Sequence, residues 1–331
     1  MMLCAKYWPS ITKSDKDTDS SPIIAAIDVG TNTIRLLIGR ISQGRLVRIK
    51  TDRDVTRLGK GLHLTGHLDI INTELSISTL VKFKDICEQY GVARIIAVGT
   101  SALREAVDSN RFLRMVMERT GININVIPGD VEADLTIKGI LANQWAFQSG
   151  IECNVITDIG GGSTELIMTG ALRCKLSVPI GAVKLFERYI KKDPPSAYEI
   201  SLMIETVGSA LRQALSINNC DISSVGCHLI ATGGTPTTLA AMYLNMERYD
   251  GDKVNGIRLP YSAIKSLYEK MVILPMRDRM NIVGLESSRA DIIVPGAAIL
   301  ISIMNALSVD EVAISDFGLL EGIVYEQLAM S

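Results

Sequence analysis

A duplicated α/β fold of two similar domains is what this sequence predicts, on three observations. Two strand–turn–strand segments recur 130 residues apart, with Asp28 and Asp158 each at a strand end ahead of a glycine-containing turn. Aliphatic strand-like runs alternate with segments of helical periodicity through both halves. The length, 331 residues, suits two domains at about 150 residues each. A duplication of this size implies two domains facing each other across a central cleft.

The elements follow in order. Ile23-Ile24-Ala25-Ala26-Ile27 enters the turn at Gly30, and Ile34-Arg35-Leu36-Leu37-Ile38 leaves it, which is a hairpin signature. Residues 46–50 form a third strand after the Gly44 turn, and residues 73–90 carry apolar side chains at helical spacing up to Gly91. A strand at 95–98, a helix at 110–120 ended by Gly121, a strand at 123–127 and a helix from about Asp130 to Phe147 complete the first half. The second half repeats the hairpin at 155–168 and adds a strand at 172–178. Helices follow at 183–189 and 197–215, then a strand at 228–231, a helix at 237–244, a strand at 312–315 and a helix at 319–328. The expected domains are therefore 23–148 and 149–331, after an arm at 1–22, with the last helix free to pack back on the first domain.

Composition excludes several classes. The 34 Lys and Arg against 36 Asp and Glu give a net charge of −2, which argues against a nucleic-acid partner. Hydrophobic residues make up 47% of the chain, too many for a disordered protein, and aromatic residues only 5%, too few for a base-stacking platform. The longest apolar run, residues 292–307, is broken by Pro295, Gly296, Ser302 and Asn305, and it is shorter than the ~20 residues of a bilayer span. It reads as a core helix, and no membrane partner is expected. Six scattered cysteines without a C-x-x-C pair read as free thiols in a reducing, cytoplasmic compartment. His63 and His67 flank the Thr65-Gly66 turn and read as loop residues rather than as a zinc site.

The chemistry lies in the turns. Asp28 precedes Gly30-Thr31-Asn32-Thr33, and Asp158 precedes Gly160-Gly161-Gly162-Ser163-Thr164-Glu165. Glycines let backbone N–H groups approach an anion, and hydroxyls add donors. A carboxylate beside a phosphate requires an intervening cation, and the oxygen-rich set suits Mg²⁺. Either turn alone would be read as an ordinary tight hairpin; the signal lies in two such turns, each with an Asp. A third glycine turn, Gly233-Gly234-Thr235-Pro236, joins a strand to a helix and is equally a phosphate dock or a βα connection with Thr235 as N-cap and Pro236 as first helical residue. Arg53, Arg57 and Arg104 suit a polyanion or a surface ion pair. Glu132, in the first turn of a helix, is either a macrodipole-favoured carboxylate or a general base for water attack on phosphorus.

Together these stretches resemble the exopolyphosphatase / guanosine pentaphosphate phosphatase family of the actin-like superfamily. The matching segments include Ala26-Ile27-Asp28-Val29-Gly30-Thr31-Asn32-Thr33, Gly99-Thr100-Ser101-Ala102-Leu103-Arg104-Glu105-Ala106 and Asp158-Ile159-Gly160-Gly161-Gly162-Ser163-Thr164-Glu165. Ala231-Thr232-Gly233-Gly234-Thr235, Arg289-Ala290-Asp291 and Ser315-Asp316-Phe317-Gly318 also match. The resemblance implies duplicated actin-like, ribonuclease H-like domains and Mg²⁺- or Mn²⁺-assisted release of terminal phosphate from polyphosphate or guanosine pentaphosphate. It makes Glu132 the base and Asp158 catalytic, with Asp28, Asp158 and Glu165 placing the metal. Gly30, Thr31, Asn32, Thr33, Arg104, Gly160, Gly161, Gly162, Ser163, Thr164, Gly233 and Gly234 would cradle phosphates. Val131 and Leu320 depart from a Glu and an Arg common in the family. A nucleotide-dependent assembly protein or a sugar kinase on the same fold is the alternative, and a homodimer is compatible with the reading.

Overall fold

A computed structural model of the chain describes residues 21–142, 153–170, 174–218, 220 and 227–328. The chain divides into two compact units, Met1–Asn143 with Gly318–Ser331, and Gln144–Phe317. The expected arm, apart from residues 21 and 22, and the expected boundary at 148–149 lie outside the described residues.

The first unit carries a five-stranded sheet of β1 (Ile24–Val29), β2 (Ile34–Ser42), β3 (Arg45–Asp54), β4 (Arg94–Gly99) and β5 (Ile124–Val126), in the order β3-β2-β1-β4-β5. β1 is central and buried at every position, which explains its uninterrupted aliphatic run. β3 lies at the edge and alternates exposed and half-buried side chains. The first three strands are antiparallel neighbours, and β4 and β5 continue in parallel. Helices Ile70–Gln89 and Ser109–Thr120 cover one face through Ile77, Leu80, Phe83, Phe112 and Val116. Against the other face lie helices Gly129–Leu141 and Leu319–Leu328, whose Leu135, Leu319, Leu320, Ile323 and Val324 form a cluster with Ala26, Leu37 and Val98. Leu320, the departure from the family pattern, is buried there.

Those two helices touch backbone to backbone. A Cβ on Gly139 would stand 1.8 Å from the Gly318 carbonyl oxygen, and one on Gly322 1.7 Å from that of Leu135. Polar ties surround this contact: Lys138 pairs with Glu326, Arg48 with Glu321, and the Leu46 N–H donates to the Tyr325 hydroxyl at 2.9 Å.

The second unit repeats the plan. Strands β6 (Cys153–Ile159), β7 (Thr164–Gly170), β8 (Cys174–Val178), β9 (Cys227–Thr232), β10 (Arg258–Pro260) and β11 (Glu311–Ile314) are ordered β10-β11-β9-β6-β7-β8. The run β8-β7-β6-β9-β11 repeats β3-β2-β1-β4-β5 in direction as well as in order, and β10 adds an antiparallel edge. The duplication predicted from Asp28 and Asp158 is thus present as topology. Helix Ile293–Leu307 is a buried core helix, as expected, packed with Ala197–Ile217 and Tyr261–Ile273. Among the described residues, no helix is long and apolar enough to cross a membrane.

Several expectations need correction. Leu62–Thr65 makes one helical turn closed by left-handed Gly66, so His63 sits in it and His67 beyond it. Helix Gly234–Tyr243 starts three residues early with Gly233 at its cap, so Thr235 is inside the helix rather than at the N-cap. Cys174 and Cys220, expected as free thiols, form a disulfide with Cα atoms 6.3 Å apart, within the usual bridging range. The tertiary path brings the end of a helix against the edge strand, and cysteine spacing carries no trace of that. Cys87 and Cys227 are free.

The sheet also buries a histidine. His228, level with Asn154 on the neighbouring strand, has Nδ1 at 3.3 Å from the Asn154 Oδ1 and no partner on Nε2. Burial, aided by Arg258 and opposed by Glu311, lowers its pKa from the usual 6.5. The unfolded chain therefore binds the proton first as pH falls below about 6.5. Stability from this site is complete above that pH and is lost as pH drops toward the folded-state value. The thermal midpoint is expected to fall between pH 7 and 5, and His228→Gln should flatten that slope; an unchanged slope removes the assignment.

Candidate functional site

The two hairpins are built alike. Gly30 N–H donates to the Thr33 carbonyl at 3.1 Å, and Gly160 N–H to the Ser163 carbonyl at 3.0 Å. Each turn is then buttressed from outside. In the first unit, Arg57 and Gly59 donate their N–H groups to the carbonyls of Asn32 and Thr31, both at 2.9 Å. A left-handed backbone at Arg57, φ 53°, accompanies this close approach. In the second unit, the N–H groups of Ala182 and Val183, opening helix Ala182–Tyr189, reach the carbonyls of Gly160 and Gly161 at 3.0 and 2.9 Å. Gly181 is required there, because a Cβ would lie 2.4 Å from the Gly161 backbone. Thr31, Asn32, Thr33, Ser163 and Thr164 are all buried, and the Thr164 hydroxyl donates to the Ile180 carbonyl at 2.7 Å.

The strands place the charged side chains. In the second unit, Asp158, Glu165 and Ser177 are directly opposite one another on β6, β7 and β8, with Thr232 beside Asp158 on β9. Side chains in register share a face of the sheet. Asp158 and Glu165 are 8% and 1% exposed, so two carboxylates are buried at one cross-strand pair. Like charges directly opposite are unfavourable unless a cation or proton joins them. Glu165 Oε1 accepts from the Ser177 hydroxyl at 2.8 Å. Gly233, at φ +97°, closes on Asp158: a Cβ there would stand 2.5 Å from Oδ1.

The equivalent row in the first unit has the opposite charge. Asp28 is opposite Arg35, which is opposite Arg53. Arg35 binds Asp28 Oδ2 through Nε at 3.0 Å and Nη2 at 2.7 Å, while the buried Asp28 Oδ1 has no hydrogen-bond partner. Asp28, expected beside a metal, is therefore held by a guanidinium. Farther along the sheet, Arg104 on helix Ser101–Glu105 donates from Nη1 to Glu132 Oε2 at 2.6 Å and to the Ile127 carbonyl at 3.0 Å. Glu132 is itself buried in the first turn of Gly129–Leu141. The two residues assigned to water activation and to phosphate binding thus form one ion pair.

Sequence reasoning did not select Arg35, Ser177 or Arg289 as site residues. Arg35 follows Asp28 by seven residues, as Glu165 follows Asp158, so aligning the repeats would have found it. Arg289 is buried with its guanidinium at 2.0 Å from the place of a Gly234 Cβ, on the first turn of helix Gly234–Tyr243, and pairs with Glu286 at 3.2 Å. The motif around it was visible, but nothing in its spacing pointed to this turn.

Among the described residues, no three His, Cys, Asp or Glu side chains gather as a self-sufficient metal cage. The pair Asp158 and Glu165 fits a different pattern: Mg²⁺ characteristically takes one or two carboxylates and completes its shell with water and substrate phosphate.

Several known proteins resemble this chain over most of its length. Exopolyphosphatase 2 of Mycobacterium tuberculosis is 27% identical over 314 residues, covering 91% of this chain and 97% of that protein. A guanosine-5′-triphosphate,3′-diphosphate pyrophosphatase of Vibrio atlanticus is 28% identical, covering 94% of this chain and 60% of the relative. The Aquifex aeolicus Ppx/GppA crystal structure superposes with a TM-score of 0.75 at 31% identity, covering 94% of this chain and 99% of that one. An exopolyphosphatase structure from Cytophaga hutchinsonii gives 0.83 at 28% identity, covering 93% and 98%. Residues 37–331 match the Ppx/GppA phosphatase family as a whole, and with its duplicated actin-like fold the chain is a phosphatase of that family.

Proposed function

We propose that the protein releases orthophosphate from the end of inorganic polyphosphate, with guanosine pentaphosphate as the alternative substrate. The observation that carries this reading is the buried carboxylate pair Asp158 and Glu165 beside a glycine turn. The carbonyls of both turns are already occupied by buttressing N–H groups, so the turns offer mainly N–H and hydroxyl donors, which suit phosphate oxygens. Guanidinium groups of Arg35, Arg104 and Arg289 add bidentate donors of the kind phosphate favours.

In this reading Glu132 accepts a proton from water as the water oxygen bonds to the terminal phosphorus, and the anhydride P–O bond breaks with its electron pair going to the shortened chain. Arg104 keeps the Glu132 carboxylate in one orientation before substrate arrives. Asp158 and Glu165 are the residues that would hold Mg²⁺, and the ion, when bound, would neutralise charge on the phosphates. The unpartnered Asp28 Oδ1 is a further acceptor for an ordered water.

The name of the Vibrio relative supports the second substrate, and that of the Mycobacterium relative the first. Measuring phosphate release from each substrate decides between them: polyphosphate should be the faster, and comparable rates would make the enzyme dual. EDTA should abolish release and excess Mg²⁺ restore it; full turnover in chelator would remove the metal from the proposal.

A further inference from the structure

We infer that Ser177 is a positioning residue that sets the affinity of the Asp158–Glu165 pair for a divalent cation, an inference that rests on the metal role proposed for that pair. Ser177 is on the edge strand β8 and its side chain shares a sheet face with Glu165 and Asp158. Its hydroxyl donates to Glu165 Oε1 at 2.8 Å, a hydrogen bond to a carboxylate, which is stronger than a neutral one. Glu165 is buried at 1% exposure, whereas Ser177 is exposed. The bond therefore helps to fix the orientation of that carboxylate. Outer partners of ligating carboxylates act in this way, orienting the ligand and tuning its affinity.

The duplicated rows differ in chemistry at this position. Where the second unit has Ser177 and Glu165, the first has Arg53 and Arg35. A cation placed at the Ser177 position would compete directly with a metal for Glu165. A small neutral donor orients the carboxylate without neutralising it.

The test titrates Mg²⁺ against the thermal midpoint of the full chain without substrate, and separately against phosphate release. Ser177→Ala should require about tenfold more Mg²⁺ for half-maximal stabilisation, with the rate at saturating Mg²⁺ within about twofold of wild type. Ser177→Thr, which keeps the hydroxyl, should restore the wild-type midpoint. A Ser177→Ala protein that melts lower without Mg²⁺ but titrates like wild type has lost only a structural contact, and the inference falls. Glu165→Gln separates the layers. If it weakens Mg²⁺ while Ser177→Ala does not, the Ser177 role alone is wrong. If neither variant alters the titration, or wild type does not respond to Mg²⁺, the metal reading fails as well.

Discussion

Glu132→Gln is expected to lower kcat by a factor of about 10² to 10⁴, the usual contribution of a positioned general base, while leaving KM and the Mg²⁺ requirement nearly unchanged. Glutamine keeps the shape and still accepts from Arg104, whose Nη1 is at 2.6 Å and also anchored on the Ile127 carbonyl. What glutamine cannot do is take a proton from water. The contrast with Arg104→Gln is informative. That variant loses both the orienting contact and a phosphate donor, so KM should rise as well as kcat fall. Steady-state kinetics on polyphosphate check both. A Glu132→Gln enzyme of wild-type kcat would move the base elsewhere.

Gly322→Ala is expected to be the most damaging single-methyl change in the first unit. A helical Gly→Ala replacement ordinarily gains about 1 kcal/mol. Here the added methyl would stand 1.7 Å from the Leu135 carbonyl oxygen. Backbone, not a flexible side chain, would have to move. Overpacking costs about 1–3 kcal/mol and sometimes more, so the clash outweighs the propensity gain by about 1–2 kcal/mol, and the thermal midpoint should fall by roughly 2–8 °C. The helix displaced is the one packed on Gly129–Leu141, which carries Glu132, so activity should fall below the temperature at which the protein melts. Gly208 in helix Ala197–Ile217 is the control: a Cβ there meets only the mobile Arg212 side chain at 3.2 Å, and Gly208→Ala should stabilise. Calorimetry of the two variants decides; a Gly322→Ala protein as stable as wild type would mean the helices do not pack this closely.

Much of the fold was legible because its signals are local. Aliphatic runs on either side of Gly30 and Gly160–Gly162 announce both hairpins, and helix Leu319–Leu328 has the residues expected of it. Where local signals are weak, elements were missed: Arg258-Leu259-Pro260 is three residues long with a proline, and helix Gly251–Val254 spans only four. The site shows the same division. Glycines and carboxylates were visible as turn residues, whereas the Arg104–Glu132 pair is made by residues 28 apart that meet only when β4 and β5 align. The Arg35 contact needs the hairpin register, and the Cys174–Cys220 bond needs the path of the chain across a sequence separation of 46. Sequence periodicity records faces, not partners.

The second unit is one uninterrupted stretch set inside the first, whose closing helix is Leu319–Leu328. A nascent chain therefore emerges with the inserted unit complete before the outer one. Ala26, Leu37, Val98 and Leu135 are synthesised long before Leu319, Ile323 and Val324 can cover them. At about 5–20 residues per second of synthesis, that apolar face waits on the order of ten seconds or more. During translation the outer unit is thus the last to close its core.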